Sequence, residues 1–421
     1  MSEHDFRKAR IGDHALQPDT LMMGFGFDPT LSEGAVKTPI FLTSTFAYET
    51  CEEGERLFNY MAGRAASPEG ADAGLIYTRF NNPNLQIVEE RLAILEGAAA
   101  AAVFSSGMAA IFTAMLATVS PGEVFLRSRP LYGGTETLFD TLLAKFGCRS
   151  VGFLEGTDGD AVRRAAREAE ALGPVAAIYV ESPANPTNTV VDLDLVRAVA
   201  EEIEARQGRR PRIVVDNTLL GPLFQSPLKH GADLVVYSLT KYVGGHSDLI
   251  AGSVAGVADL MKTVRSLRNQ IGNQLDVHSA WMLTRSLETL RLRMERAFSG
   301  AAEVARWLEG RDDVERVAYL AGTADLDVAA RQHGAFGGTF SFVVKGGRAR
   351  AFQILDRLRI FRLAVSLGGT ESLACHPAST THSGVPAQER AALGIEDGMI
   401  RLSIGLEAAE DLIADLEAAM A

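Results

Sequence analysis

From about Asn84 onward the chain repeats one pattern, in which a short apolar run, a stretch with apolar residues at helical spacing and another apolar run follow each other. The runs are "AAAVF", "EVFLR", "VAAIYVE", "RIVVD" and "DLVVYS", with "LQIVEERLAILEG" and "LDLVRAVAEEIEAR" between them. Short apolar runs joined by amphipathic helices signal crossover units, so the pattern predicts an α/β fold on a mostly parallel sheet. Residues before this region lack strong periodicity and read as an arm with a Gly/Pro/Ala-rich surface loop near 62–73. From about Val277 a long helical stretch leads into a smaller domain holding "GTFSFVV" and "IRLSIGL". The expected division is an N-terminal arm over 1–81, a large domain over 82–285 and a small C-terminal domain over 286–421.

Charge and cysteine content narrow the partners. The net charge is −12, and no lysine/arginine block tracks a phosphate backbone, so nucleic acid and anionic membranes are poor partners. Cys51, Cys148 and Cys375 are scattered and odd in number, which fits a reducing compartment. With no apolar leader and no run long enough for a bilayer, a cytoplasmic protein is expected.

Ligand sites in open parallel sheets gather at the carboxyl ends of the strands. In "VVYSLTKYVGGHSDLIAG" an apolar run delivers Lys241 into a Ser/Thr/Gly-rich turn, where it is either a surface loop lysine or a reactive amine. Asp216 ends "RIVVD", 25 residues earlier, as a turn or capping residue or as the partner of a cationic ring nitrogen. "SSGM" puts Gly107 and Met108 at a strand-to-helix turn, a common cap and also a cradle for a phosphate. Ser238 and Thr240 add hydroxyls beside the lysine, and Tyr132 adds a ring able to stack on a flat cofactor or to pack as an ordinary loop residue. An aldehyde cofactor with a ring nitrogen and a phosphate joins these parts. That is pyridoxal 5'-phosphate, with Lys241 as its Schiff-base anchor.

Read as a set, these segments resemble the Cys/Met-metabolism family of pyridoxal-phosphate enzymes, from about Thr38 to the C-terminus. The resemblance implies an aspartate-aminotransferase-like fold (fold type I), a carbon–sulfur lyase or γ-replacement activity, and a homo-oligomer of shared sites, a dimer or a tetramer. It implies that Lys241 carries the cofactor and that Asp216 meets the pyridine. Gly107 and Met108 would supply phosphate amides, Tyr132 the stacking ring and Asn185 of "ESPANPT" a contact to the cofactor hydroxyl. Tyr77 and Arg79 of "YTRFNNPN" would reach the neighbouring subunit's phosphate, although Asn84 replaces the usual threonine of that motif. Arg401 of "MIRLSIGLE" would grip the substrate carboxylate. Val365, before Ser366 of "SLGG", stands where cystathionine-handling members often have glutamate, which favours a short apolar thioether such as methionine. Gly134 in place of a cysteine, and Arg268 and Asn269 in place of a Lys-Asp pair, point away from well-known methionine γ-lyases. The expected activity is methionine γ-elimination, with O-acetylhomoserine sulfhydrylase, cystathionine γ-synthase and cystathionine γ-lyase as alternatives.

Other chemistries fit less well. His246 with Asp248, or His376 with His382, lack metal-ligand spacing, so no metal is expected. "GFGFDP" lacks the third glycine of a dinucleotide fingerprint, and no Walker-type motif is present.

Overall fold

The apolar runs become strands buried along nearly their whole length, and their connections become helices. The structure is a computed structural model describing residues 6–61, 63–65, 74–320 and 325–421. A two-residue hairpin, β1 (Arg10–Ile11) with β2 (His14–Ala15), opens the chain. The central sheet holds β3 (Ala100–Phe104), β4 (Val124–Ser128), β5 (Arg149–Phe153), β6 (Val175–Glu181), β7 (Arg212–Asp216), β8 (Leu234–Ser238) and β9 (Gly252–Gly256). Their order across it is β3-β9-β8-β7-β6-β4-β5. Pairings from β8 to β5 are all parallel, whereas β9 runs antiparallel to both β3 and β8.

A smaller sheet follows in the chain: β10 (Val314–Ala318), β11 (Thr339–Val344), β12 (Arg362–Leu363), β13 (Leu373–Cys375) and β14 (Met399–Ser403), ordered β10-β11-β14-β13-β12. It is antiparallel except for β12 with β13. Phe340, Phe342, Ile400 and Leu402 bury its inner face against Ala301, Val304 and Leu308 of the helix Leu290–Glu309. Separate apolar clusters cover the faces of the central sheet, so its strands are alternately committed to two layers.

Several sequence expectations are refined. The long helical stretch from Val277 is two helices, Val277–Leu287 and Leu290–Glu309, interrupted at Glu288–Thr289. Of the 62–73 loop, only residues 63–65 lie among the described residues. Among the described residues, no helix is long and apolar enough to cross a membrane.

Parallel register brings the strand tips level. Glu181 pairs with Asp216, and Asp216 with Val236, two residues before Ser238. Carboxyl-end loops of β6, β7 and β8 therefore open on one side of the sheet, together with the N-terminus of the helix Gly107–Thr118 that follows β3.

Candidate active site

A cavity of about 260 Å³ lies over those tips, lined by Ser106, Gly107, Met108, Tyr132, Asn185, Asp216, Ser238, Thr240 and Lys241 among others. These residues, from five separate stretches of sequence, thus converge where the fold rule places a ligand.

Lys241 is largely buried, and its Nζ donates a hydrogen bond to Ser366 Oγ at 2.8 Å. Burial first, and then the nearby Arg401 cation, pull its amine down to about 8. Removing an ammonium from water favours its neutral form, which is the nucleophilic one.

Asp216 is 6% exposed and makes no ion pair among the described residues. One oxygen accepts from the Thr218 amide (3.1 Å) and hydroxyl (2.6 Å), and the other from Tyr179 Oη (3.3 Å). Burial pushes its carboxyl above the usual range, and the hydrogen bonds from Thr218 and Tyr179 oppose that. A buried carboxyl group that lines the cavity and makes no ion pair among the described residues is the kind of group that suits a protonated ring nitrogen.

Another part of the cavity lining suits an anion. Ser106 caps the helix Gly107–Thr118 by accepting from the Ala109 amide at 3.0 Å, and the first amides of a helix have no partners within it. Gly107 has no room for a side chain, since a Cβ there would stand 2.8 Å from the Ser238 Cβ. That closeness sets the Ser238 hydroxyl beside the helix end. Thr240 differs, because its hydroxyl is spent on both the carbonyl and the amide of Ala251 (3.2 and 3.0 Å). A cationic-ring acceptor, a reactive amine and an anion cradle in one cavity fit the donor set of pyridoxal phosphate.

The second tier is Arg401, 2% exposed on β14. Its Nη1 donates to Asn185 Oδ1 at 3.1 Å and its Nη2 to the Ser366 carbonyl at 2.6 Å, while its Nε lacks a partner among the described residues. Ser366 has φ +89°, a conformation that costs a non-glycine residue about 1–3 kcal/mol unless its surroundings hold it. Lys241 and Arg401 are those surroundings.

Not every expected residue reaches the cavity. Tyr77 and Arg79 do not line it: the Arg79 guanidinium lies 4.4 Å from the Phe80 ring and donates to the Asn269 carbonyl. Val365 is half-exposed and borders a neighbouring depression with Phe352 and His376. Asn84, the departure from the expected motif, has a local use, since its side chain donates to the Pro39 carbonyl (2.8 Å) and accepts from the Phe41 amide (2.8 Å). Glu181, Thr218 and the apolar wall Ile111, Leu219, Ile250 and Leu367 were missed by sequence reasoning, although Glu181 ends an apolar run in the same way as Asp216.

Sequence comparison decides the family. The family described as Cys/Met metabolism PLP-dependent enzyme matches residues 19–421. The chain belongs to that family. The match begins upstream of Thr38 and makes the chain a pyridoxal-phosphate-dependent enzyme of cysteine and methionine metabolism. Within the family, it is 39% identical to the L-methionine gamma-lyase of Pseudomonas deceptionensis, over 95% of this chain and 96% of that protein. It is also 39% identical to the L-methionine gamma-lyase of Porphyromonas gingivalis, over 99% and 98%. Among solved structures it resembles cystathionine gamma synthase from Xanthomonas oryzae pv. oryzae in complex with aminoacrylate and cysteine, with TM-score 0.85, 35% identity and coverage of 96% and 98%.

Proposed function

We propose that this family member removes the γ-substituent of a sulfur amino acid, converting L-methionine to 2-oxobutanoate, ammonia and methanethiol. The observation that carries this reading is full-length similarity to L-methionine gamma-lyases. Beside it stands the apolar wall of Ile111, Leu219, Ile250 and Leu367, which suits an uncharged thioether better than a distal ammonium.

Pyridoxal phosphate, when bound, supplies an aldehyde for amines and a ring that absorbs charge from a broken Cα–H bond. In this reading Lys241 is its anchor and then the base that moves protons at Cα and Cβ. Its lowered basicity and its tether to Ser366 Oγ favour a neutral, directed amine. Asp216 holds the ring-nitrogen proton, and Gly107, Met108, Ser238 and Thr240 form the phosphate cradle, with Thr240 acting through the turn it braces. Tyr132 flanks the ring and serves as a proton donor to the leaving sulfur. Asn185 contacts the cofactor hydroxyl and steadies Arg401, whose guanidinium takes the substrate carboxylate.

Tyr77 and Arg79 complete the phosphate site of a second copy, so the working unit is a homo-oligomer in the cytoplasm, a dimer or tetramer. Its divisions are the arm 1–81, the cofactor domain 82–285 and the small domain 286–421.

A γ-replacement reading has its own support in the likeness to cystathionine gamma synthase. Assaying cofactor-loaded protein for 2-oxobutanoate from L-methionine, and for homocysteine from O-acetylhomoserine plus sulfide, separates the two. Oxoacid from methionine alone supports elimination. Inert methionine with homocysteine formation replaces that reading by a sulfhydrylase.

A further inference from the structure

Glu181 is the last residue of β6, 5% exposed, on the wall of the cavity beside Asp216. It makes no ion pair among the described residues, although a buried carboxylate costs free energy unless its oxygens are satisfied. Both are satisfied by backbone. Oε2 accepts from the Tyr132 amide at 2.8 Å, and Oε1 accepts from the Asn185 amide at 2.8 Å. Its own amide donates to Ser128 Oγ at 3.0 Å, which ties it to the neighbouring strand β4.

From Asn185 the hydrogen bonds continue. Asn185 Oδ1 receives Arg401 Nη1, Arg401 Nη2 reaches the Ser366 carbonyl, and Ser366 Oγ receives Lys241 Nζ. One carboxyl group therefore stands at the head of a chain that ends at the reactive amine.

We propose that Glu181 is a positioning residue of this active site: its two oxygens fix, one each, the Tyr132 loop and the Asn185 loop, and through Asn185 the Arg401–Ser366–Lys241 chain. The inference deepens the pyridoxal-phosphate reading, but its first readout needs no cofactor. Glutamine at this position offers one acceptor and one donor, so one of the two amides meets another N–H instead of an oxygen. Aspartate keeps the carboxyl group but is a methylene shorter and cannot span both amides.

The test is hydrogen exchange on the full-length cofactor-free chain, comparing wild type, Glu181→Gln and Glu181→Asp. Segments containing Tyr132 and Asn185 should exchange about 10- to 100-fold faster in either variant, with protection elsewhere retained. In the cofactor-loaded protein, the same variants should release pyridoxal phosphate about tenfold or more faster. Unchanged exchange at both segments in a folded variant overturns the proposal. Uniformly raised exchange across the whole chain also overturns it, because that marks a purely structural carboxyl. If Glu181→Gln does not fold, Glu181→Asp carries the same two outcomes. A wild-type chain that takes up no pyridoxal phosphate would instead sink the functional reading and leave the exchange result to stand alone.

Discussion

Lys241 Nζ and Ser366 Oγ lie 2.8 Å apart, and Ser366 holds that position with a backbone φ of +89°. The amine is thus aimed by a residue 125 positions later in the chain, itself held through its carbonyl by Arg401. Ser366→Ala removes only the hydroxyl. A hydrogen bond between neutral groups contributes about 0.5–1.5 kcal/mol, so kcat should fall about 2- to 12-fold with cofactor retention nearly unchanged. Steady-state kinetics with absorbance-monitored cofactor content checks this, and a wild-type kcat would show that the contact directs nothing.

Lys241 gives a pH signature. Burial and Arg401 hold its amine at about 8, below the ordinary lysine value of 10.5. Only the neutral amine attacks an aldehyde. Uptake of pyridoxal phosphate by the cofactor-free chain should therefore accelerate about tenfold per pH unit on the acid side and level off above the amine's midpoint. Stopped-flow absorbance between about pH 6 and 10 measures it. A rate still climbing at the alkaline end would mean the amine is an ordinary lysine.

How much of this was legible in the chain follows from distance along it. Asp216 and Lys241 stand at the tips of strands whose apolar character is local, and register alone brings those tips together. β9 was invisible because "GSVAG" carries little apolar signal. Its glycines are demanded from outside, since a Cβ at Gly252 would stand 2.2 Å from the Ser106 carbonyl oxygen, and one at Gly256 2.2 Å from that of Asp233. Glu181 shows the same limit at the site: the amide it holds at Tyr132 lies 49 positions away, and no spacing encodes that bond. Val365 is the converse case, a residue adjacent in sequence to Ser366 whose side chain borders a different depression.

Glu96 supplies a stability prediction. It is the last residue of the helix Pro83–Glu96, 3% exposed, and accepts a hydrogen bond from Tyr237 Oη, which in turn accepts from Asn217 Nδ2 at 2.8 Å. A carboxylate at a helix C-terminus faces the negative end of the dipole. Burial pushes its carboxyl from 4.5 up to about 8, so between those values the native chain keeps a proton that the unfolded chain has lost. Stability should therefore fall as pH rises through that window, by about 1.4 kcal/mol per unit, and flatten above it. Glu96→Gln keeps an acceptor for Tyr237 and removes this group's contribution to the slope, leaving that of the other buried carboxyls, Glu181 and Asp216, in place. Urea midpoints should increasingly favour the variant from acid to mildly alkaline pH, and a constant difference would show that Glu96 is ionised throughout.

Tyr77 and Arg79 bear on assembly. Tyr77 is 41% exposed, Arg79 stacks on Phe80, and neither lines the cavity of its own chain. If they serve a second copy, Lys241→Ala and Arg79→Ala damage the same site from different chains. Each variant alone should be nearly inactive. Refolded together in equal amounts, half of the resulting pairs contain one chain of each kind, and each such pair holds one site with both defects and one with neither. Activity should then return to about a quarter of wild type. The measurement is oxoacid release from the mixture against the separately refolded parents. Absence of recovery, with mixed oligomers demonstrated by differential tagging, would place Arg79 outside the shared site and leave the phosphate to the Gly107 helix end and Ser238.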